Sequence, residues 1–492
     1  MATTSSTTAS SPSIRSLIPA RIDRLPWSRF HTRLIMALGV AWILDGLEIT
    51  IAANVGADLT LKNTLNMSAG AVSDIAWWYL IGEVIGALFF GRLSDKLGRR
   101  NLFMVTLGVY LVGSGLTAVT PNGGHWFIFL YATRIIAGMG IGGEYAAINS
   151  AIDELIPARH RGWADLAING TYWLGAIIAA AAETVLLDPQ LLPPDLGWRL
   201  GLLIGPLLVG LIWRHRRTLP ESPRWLLTRG REAEATRLVA DIEAEVAARG
   251  HVLPPVDPAR TLVLSAAPPM GYGTLAAVLV RRYPSRSLVS LVLMASQSFL
   301  YNAIFFTYGL VLTHVYAIPA SHVPRYFYAF AAGNLLGPLA LGRLFDTLGR
   351  RRMIATTYVG SGLLLALSAQ LFAHGVLTAT TQTVCWSAVF FLGSAAASSA
   401  YLTVSEIFPL EIRAQAIAFF FAIAQVVGAA GPWLFAALIG DQAHPAPARL
   451  VRGYALAALV MIVAGIVEAI YGVEAARRSL EDVAAPLSVS DA

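Results

Sequence analysis

The decapeptide GRLSDKLGRR occupies residues 91–100, and a near copy, GRLFDTLGRR, occupies residues 342–351, an offset of 251 residues. A second pair of segments, ELIPARHRG at 154–162 and EIFPLEIRA at 406–414, repeats at an offset of 252 residues. Two independent pairs at nearly the same spacing indicate that the chain consists of two related halves. The two decapeptides therefore occupy equivalent positions, one in each half.

The composition predicts that both halves lie in a membrane. Hydrophobic residues make up 56% of the 492 residues and charged residues only 13%, and the mean hydropathy is +0.60. Soluble domains carry about 25% charged residues. A helix needs about 20 apolar residues to cross a bilayer. This criterion predicts twelve spans, at residues 34–56, 72–91, 101–120, 126–150, 164–187, 198–213, 288–313, 325–345, 353–374, 378–403, 412–439 and 450–472.

The expected fold class is therefore an all-α membrane protein with twelve transmembrane helices in two six-helix halves. Such duplicated bundles are the usual architecture of secondary transporters, with the substrate site between the halves. The predicted parts of the chain are a disordered N-terminal tail (1–33), an N-terminal half (34–213), a central loop with amphipathic helices (214–287), a C-terminal half (288–472) and a C-terminal tail (473–492).

Basic residues predict the orientation. Thirty of the 36 Lys and Arg residues lie in alternate polar segments, beginning with the N-terminal one. Basic loops stay cytoplasmic during insertion, so both termini and the central loop are predicted to be cytoplasmic, in a cell membrane. This placement explains the net charge of +6 without a nucleic-acid partner. The single cysteine, Cys385, excludes an intrachain disulfide.

The decapeptide GRLSDKLGRR resembles the cytoplasmic loop signature of the major facilitator superfamily. The segment RIIAGMGIGGEYAAINSAIDELIPARHRG at 134–162 and PESPRWLL at 220–227 are similar to those of its sugar porters and metabolite:proton symporters. The resemblance implies alternating access of the two halves. It also implies a cytoplasmic gating motif formed by Gly91, Asp95, Gly98, Arg99, Arg100, Gly342, Asp346, Gly349, Arg350, Glu154, Arg161, Glu406 and Arg413.

Ionisable residues inside predicted spans are the candidates for proton coupling, because a charge in hydrocarbon is costly. Asp45 and Glu48 are three residues apart on one helix face, where repulsion between carboxylates favours a bound proton on one of them. The resemblance to sugar porters places Glu48 at their coupling carboxylate and Arg134 at its partner. Glu144 is the fourth candidate. The alternative is a static buried ion pair; Glu83 and Glu183 are weaker candidates.

Neutral polar residues in the C-terminal half are predicted to contact substrate, or alternatively to hold helices together. They are Gln297, Tyr301, Asn302, Asn334 and Gln425. Phe299 and Leu300 stand where sugar porters carry Ser-Gly, and Tyr401 stands where they carry tryptophan. These departures weigh against a hexose.

The sequence predicts proton-coupled symport of a small organic metabolite, with an organic acid expected first and a sugar or polyol second. A metabolite or drug exporter is the third alternative. A sensor or an enzyme is disfavoured, since neither a signalling domain nor a catalytic residue set is recognisable. We expect no cofactor and no metal, a proton gradient as driving force, and a monomer in the lipid bilayer. Leu238, Ile242 and Val246 are spaced four apart and predict an amphipathic latch helix in the central loop.

Overall fold

The computed structural model describes residues 13–208, 219–265, 270–305, 307–319, 322–439 and 447–487. Twelve long helices are found in these ranges. They are α1 Arg29–Asn54, α2 Ala69–Leu97, α3 Arg99–Ala118, α4 Phe127–Leu155, α5 Arg161–Leu186, α6 Pro194–Leu207, α7 Pro284–Phe305, α8 Val323–Thr347, α9 Arg350–Ala373, α10 Ala379–Ile407, α11 Arg413–Ile439 and α12 Pro447–Tyr471. Eight of them are long and apolar enough to span a membrane by length and composition alone.

The helices form two six-helix halves, α1–α6 and α7–α12. In the N-terminal half α2 packs on α4, α4 on α3, and α1 on α5; in the C-terminal half α8 packs on α10, α10 on α9, and α7 on α11. The halves meet along two helix pairs, α2 with α11 and α5 with α8. These two pairs are equivalent in the sequence repeat, so the interface is itself pseudo-symmetric.

Large apolar side chains cover much of the outer surface. Trp433 is 77% exposed and Ile128 is 67% exposed, and both lie on long helices. Water would disfavour such a surface, whereas lipid chains accept it. The prediction of an all-α, twelve-helix membrane protein is confirmed.

Both decapeptides form helical corners instead of the predicted loops. Helix α2 continues to Leu97, Gly98 turns the chain with φ 86°, and α3 begins at Arg99. In the second copy α8 continues to Thr347, and Gly349 has φ 108° before α9 begins at Arg350. Only glycine adopts such a φ at little cost, which explains its place in both copies. We call the end of the bundle that carries these corners the motif face.

The boundaries of two predicted segments are wrong near α7. This helix begins at Pro284, within the predicted central loop, and ends at Phe305 instead of residue 313. Proline suits the first position of a helix. Beyond α7 the chain forms a short helix, Tyr308–Leu310, and a π-helical turn, Val311–Val315. These residues continue the apolar run, so composition does not mark the break. Residue 306, and residues 209–213 of the predicted sixth span, lie outside the described ranges.

The predicted disordered tail is wrong from Ser13 onward, while residues 1–12 lie outside the described ranges. Ser13–Ser16 forms a strand that pairs antiparallel with Leu262–Ser265 of the central segment. Ile18–Asp23 is helical, and its Ile18 and Ile22 are buried against Trp225 and Leu226. The tail is ordered because it gains a backbone partner and an apolar one, both distant in sequence.

The central segment contains helices Pro223–Thr228, Glu232–Ala247 and Tyr272–Arg282 and the 3₁₀ turn Pro258–Arg260. The predicted amphipathic helix is observed at Glu232–Ala247. Ile242 and Val246 are buried as predicted, whereas Leu238 is half-buried and its neighbour Val239 is buried instead. Two short helices, Gly56–Leu59 and Leu480–Val483, complete the described elements.

An ion-pair cluster attaches the N-terminal segment to helix Glu232–Ala247. Glu243 accepts hydrogen bonds from Arg21 at 2.6 and 3.1 Å and from Arg24 at 2.6 Å. Partial burial acts to raise the pKa of Glu243, but these hydrogen bonds and charges outweigh it and hold the pKa below its ordinary value. A carboxylate with a depressed pKa stabilises the docked state above the pKa of the undocked state, and the stabilisation is lost as pH falls through the folded-state pKa.

We therefore expect residues 13–25 to lose protection as pH falls below the ordinary glutamate range. Hydrogen–deuterium exchange of the full chain in detergent would measure this loss. Glu243→Gln should weaken protection at neutral pH and flatten its pH dependence. Glu234→Gln is the matched control, because Glu234 pairs only locally, with Arg231 at 2.6 Å. Equal pH dependence in wild type and Glu243→Gln would contradict the prediction.

Candidate functional site

A cavity of about 140 Å³ lies between the two halves. Helices α1, α2, α4 and α5 line it from one half and α7, α10 and α11 from the other. Its lining residues are Trp42, Ile49, Tyr79, Leu80, Glu83, Tyr145, Asn169, Tyr172, Trp173, Gln297, Ser298, Tyr301, Asn302, Phe305, Ser394, Ala397, Ser398, Tyr401 and Gln425. An apolar cavity of about 150 Å³ holds benzene in other proteins, so there is room here for one ring-sized molecule.

Aromatic rings dominate the wall of the cavity. Eight of the 19 lining residues are Trp, Tyr or Phe, whereas such residues make up 10% of the whole chain. Several rings touch across the two halves: Tyr145 on α4 stacks on Phe421 of α11, with ring centroids 4.6 Å apart, and Trp173 on α5 lies 5.8 Å from Tyr301 on α7. Of this set, Tyr301 alone was predicted to contact substrate, since aromatic residues are common in any transmembrane helix.

Four of the five predicted substrate residues line the cavity, namely Gln297, Tyr301, Asn302 and Gln425. Asn334 on α8 does not line it. Its side-chain oxygen accepts a 2.7 Å hydrogen bond from the Tyr301 hydroxyl, and its amide donates to the carbonyl of Phe330 at 2.9 Å. Asn334 is fully buried, so it orients Tyr301 from behind the cavity wall.

A chain of hydrogen bonds crosses the cavity from α7 to α2. The Asn302 amide donates to the Ser298 hydroxyl at 3.2 Å, and that hydroxyl donates to the Gln425 oxygen at 2.7 Å. The Gln425 amide then donates to a carboxylate oxygen of Glu83. Each donor points toward Glu83, as expected when the final group is an acceptor. This chain joins the two halves at the centre of the molecule.

Glu83 was a weaker candidate for proton coupling in the sequence, yet it is the one carboxylate among the described residues that line the cavity. It lies at the midpoint of α2 and is 3% exposed. Its presence in an apolar span was the available signal. The sequence could not show that Gln425, 342 residues away, would meet it.

The predicted coupling pair lies beside this cavity. Glu48 on α1 and Arg134 on α4 are both buried, with a carboxylate oxygen and a guanidinium nitrogen 4.0 Å apart. The Arg134 guanidinium also lies over the ring of Tyr79, 5.0 Å from its centroid. Because Tyr79 lines the cavity, one ring connects the pair to the space where a ligand would bind. Neither Glu48 nor Arg134 lines the cavity itself.

The other two predicted coupling residues are also buried in the N-terminal half. Asp45 on α1 is 1% exposed and lies one helical turn from Glu48; Glu144 on α4 is 1% exposed and precedes Tyr145. Neither lines the cavity. Thus the structure places Glu48 and Arg134 together, and it does not bring Glu144 to the cavity.

Glycines of α4 set the position of Glu83. Gly138 faces the backbone of Tyr79 and Gly142 faces the backbone of Glu83, so α2 and α4 touch without intervening side chains. Small residues are the usual device for such close contact between transmembrane helices. The contact presents Tyr79 and Glu83, four residues apart on α2, toward the cavity.

Gly142→Ala should destabilise the protein by about 1–3 kcal/mol, because the added Cβ would overlap the Glu83 backbone carbonyl. A lower thermal denaturation temperature in detergent would measure this effect. Gly108→Ala on α3 is the control, since a Cβ there meets no atom within 4 Å. Equal stability of the two variants would show that α2 and α4 are not closely packed at this point.

At the motif face, buried ion pairs repeat in the two halves. Arg99 pairs with Glu154 at 3.0 Å, and Arg350 pairs with Glu406 at 2.9 Å. The backbone N–H at the start of each following helix donates to a further glutamate at 2.8 Å, Arg99 to Glu221 and Arg350 to Glu474.

Other contacts on this face cross between the halves. Arg161 on α5 pairs with Glu406 on α10 at 3.3 Å. Asp346 on α8 accepts hydrogen bonds from the backbone N–H groups of Gly162 at 3.1 Å and Trp163 at 2.8 Å, and it pairs with Arg350 at 2.8 Å. The second decapeptide is therefore well connected, although Thr347 stands where the first copy has Lys96.

The remaining residues of the predicted gating motif occupy the same face. Gly91 approaches Ala418 of α11, so it allows close contact between the halves, and Gly342 lies against Trp163 of α5. Arg413 is buried and donates to the Phe408 carbonyl at 3.3 Å. Arg100 is exposed at the start of α3. The side chain of Asp95 lies outside what the structure describes.

Within the described ranges, no group of three or more His, Cys, Asp or Glu residues is placed to hold a metal ion.

Comparison with known proteins defines the family. Residues 53–486 match the family model for "Sugar (and other) transporter". The niacin transporter NiaP of Acinetobacter baylyi is 28% identical over 416 residues, which cover 84% of this chain and 88% of that protein. The putative metabolite transport protein YdjK of Escherichia coli is 28% identical over 485 residues, 94% of this chain and 96% of that protein.

Solved structures show the same fold. The major facilitator superfamily proton:xylose symporter XylE, bound to 6-bromo-6-deoxy-D-glucose, superposes with a TM-score of 0.75 at 17% identity and covers 92% of this chain and 98% of its own. The family match, the transporter relatives and the shared fold agree with the repeat, the twelve helices and the central cavity: the chain belongs to the sugar (and other) transporter family and has the fold of the major facilitator superfamily.

Proposed function

We propose that this protein is a proton-coupled symporter of a small organic metabolite that works by alternating access of its two halves. One observation carries the proposal: the buried Glu48–Arg134 pair is connected by the Tyr79 ring to a cavity between the halves. A proton site next to a ligand site is the arrangement that coupling requires.

Protonation of Glu48 would remove its attraction to Arg134. The guanidinium would then be free to change its position over Tyr79, and the cavity wall would respond. Conversely, a ligand that moves Tyr79 would change the position of Arg134 and hence the proton affinity of Glu48. Binding of proton and ligand is thereby reciprocal, as linkage requires.

We further propose that the motif face is cytoplasmic, that the protein lies in the cell membrane with both termini cytoplasmic, and that it acts as a monomer. The density of basic residues at this face supports the orientation. Ion pairs between halves, such as Arg161 with Glu406, would close the cytoplasmic path in one state and break in the other.

The organic acid and the sugar or polyol predict different contacts. A sugar or polyol would use the neutral amides Asn169, Gln297, Asn302 and Gln425. An organic acid would find no Lys or Arg among the described lining residues, so it would have to bind through these amides or in its protonated form.

Proteoliposomes containing an internal pH dye test the proposal. Addition of a substrate should acidify the lumen, in proportion to its uptake, when a panel of aromatic amines, aromatic acids, aliphatic acids, sugars and polyols is supplied. A protonophore should abolish the signal, and empty liposomes control for passive permeation. Uptake of a panel compound without acidification would refute symport and favour a uniporter or an exchanger.

A further inference from the structure

We propose that the central cavity selects a compact ring compound that carries a positively charged or hydrogen-bond-donating nitrogen, and that Glu83 is the group that receives this nitrogen. The inference deepens the proposed function by naming a substrate class, and it rests on that function only in taking the cavity to be the transport site.

The charge of the cavity wall carries the first step. Among the described lining residues Glu83 is the one carboxylate, and neither Lys nor Arg is present. A ligand carboxylate here would lie in a largely dry site beside another carboxylate, with no cation to offset the repulsion. A ligand cation would instead meet a carboxyl group that is already part of the wall and that, in its ionised form, only accepts hydrogen bonds.

The basic side chain Arg134, which lies over the lining residue Tyr79, is paired with another carboxylate. Its guanidinium lies over the Tyr79 ring and 4.0 Å from Glu48. It is not a lining residue, and the pair it forms already offsets its charge. Arg134 therefore does not change the preference of the cavity for a cation.

The rings supply the second step. A cation over the face of Trp or Tyr is attracted by the ring quadrupole, and a planar ligand gains by stacking. Trp42, Tyr79, Tyr145, Tyr172 and Tyr401 share the cavity wall with Glu83. Such a wall suits a flat cationic or donor-bearing ring, because its faces can stack on the aromatic side chains while its nitrogen meets Glu83.

The Gln425–Glu83 hydrogen bond gives the third step. It joins α11 to α2, and hence one half to the other, at the wall of the cavity. A ligand nitrogen that donates to Glu83 competes with or reorganises this bond. Binding of the ligand nitrogen to Glu83 would therefore act directly on the interface between the two halves, which must change during alternating access.

The test is calorimetric titration of the purified full chain in detergent with three ligands that share one ring, namely benzylammonium, benzyl alcohol and benzoate, and with xylose. Benzylammonium should bind at least about tenfold more tightly than benzyl alcohol, and benzoate should bind most weakly of the three. Glu83→Gln should lower the affinity for benzylammonium about tenfold or more and leave benzyl alcohol nearly unchanged. The retained binding of benzyl alcohol would show that the cavity is still folded.

Two variants sharpen the test. Glu83→Asp keeps the charge and should keep the preference for the cation. Glu183→Gln removes a buried carboxylate of α5 that is bound to Asn54 at 2.8 Å and does not line the cavity, so it should leave all affinities unchanged. Tightest binding of benzoate, tighter binding of xylose than of any ring compound, no binding of any ring compound, or equal benzylammonium binding in wild type and Glu83→Gln would overturn the inference.

The assignment of Glu83 and the proposal of proton symport can be refuted independently of each other. The predicted binding order without proton movement in liposomes would refute symport and leave the assignment of Glu83 intact. Proton-coupled uptake of an anion, with benzoate bound most tightly, would support symport and refute the assignment.

Discussion

Glu48→Gln should abolish substrate-driven acidification of proteoliposomes while exchange of substrate across the same membranes continues. Glutamine keeps the shape of the side chain but cannot release a proton, so the cycle would run without proton movement. Two measurements are made on the same proteoliposomes: the internal pH dye reports proton movement, and counterflow of a labelled substrate reports exchange. Glu468→Gln, which removes a buried carboxylate of α12 in the other half, is the control and should acidify like wild type.

A double variant separates a coupling pair from a static one. In Glu48→Gln alone Arg134 is a buried charge without its carboxylate, which costs about 3–5 kcal/mol, whereas Glu48→Gln combined with Arg134→Gln leaves no charge to compensate. A static pair predicts that the double variant regains both stability and proton movement. Coupling predicts that it regains stability alone, and recovered acidification would therefore refute the role of Glu48.

Arg350→Ala is expected to have the second large effect, a loss of about 3–5 kcal/mol in stability together with loss of transport. Its guanidinium binds both oxygens of Glu406, at 2.9 and 3.2 Å, and also Asp346 at 2.8 Å, and it is 1% exposed. Removal would leave Asp346 with its two backbone donors and no guanidinium, and Glu406 with Arg161 as its cation partner at 3.3 Å. Thermal denaturation in detergent and substrate uptake would measure the two losses.

Arg231→Ala is the control for Arg350→Ala. Arg231 pairs with Glu234 at 2.6 Å, but its side chain is 48% exposed, and such surface pairs contribute about 0–1 kcal/mol. Arg350→Ala together with Glu406→Gln should recover part of the stability, because one of the two carboxylates that lose Arg350 is then neutral. Equal stability of Arg350→Ala and Arg231→Ala would show that the buried ion pairs of Arg350 do not stabilise the C-terminal half.

The repeated decapeptide made the fold predictable, because it fixed the duplication and hence the equivalence of α2–α3 with α8–α9. Gly98 and Gly349 were named as part of the gating motif, and both have a positive φ in the structure, 86° and 108°. The corners were predicted as loops because charged residues are typical of the segments between transmembrane spans. In the structure the charges belong to helix ends, where Glu221 and Glu474 bind the first backbone N–H groups.

The site was predictable only in part. Intramembrane charge identified Glu48 and Arg134 because few ionisable residues occur in apolar spans. The wall of the cavity depends on which faces of seven helices converge, and no pattern within one helix reveals this. Tyr79, Tyr145 and Trp173 therefore escaped selection, and Asn334 was selected although it lies behind Tyr301.

The strand Ser13–Ser16 has its partner at Leu262–Ser265, so these two segments are separated by the whole N-terminal half. A ribosome produces the first strand long before the second, and the first strand must wait unpaired while six helices enter the membrane. Pairing of the two strands therefore requires that the N-terminal half and the central segment up to Ser265 have already been synthesised. The ordered N-terminal segment is accordingly one of the last parts of that half to reach its final position, although it is made before the six helices.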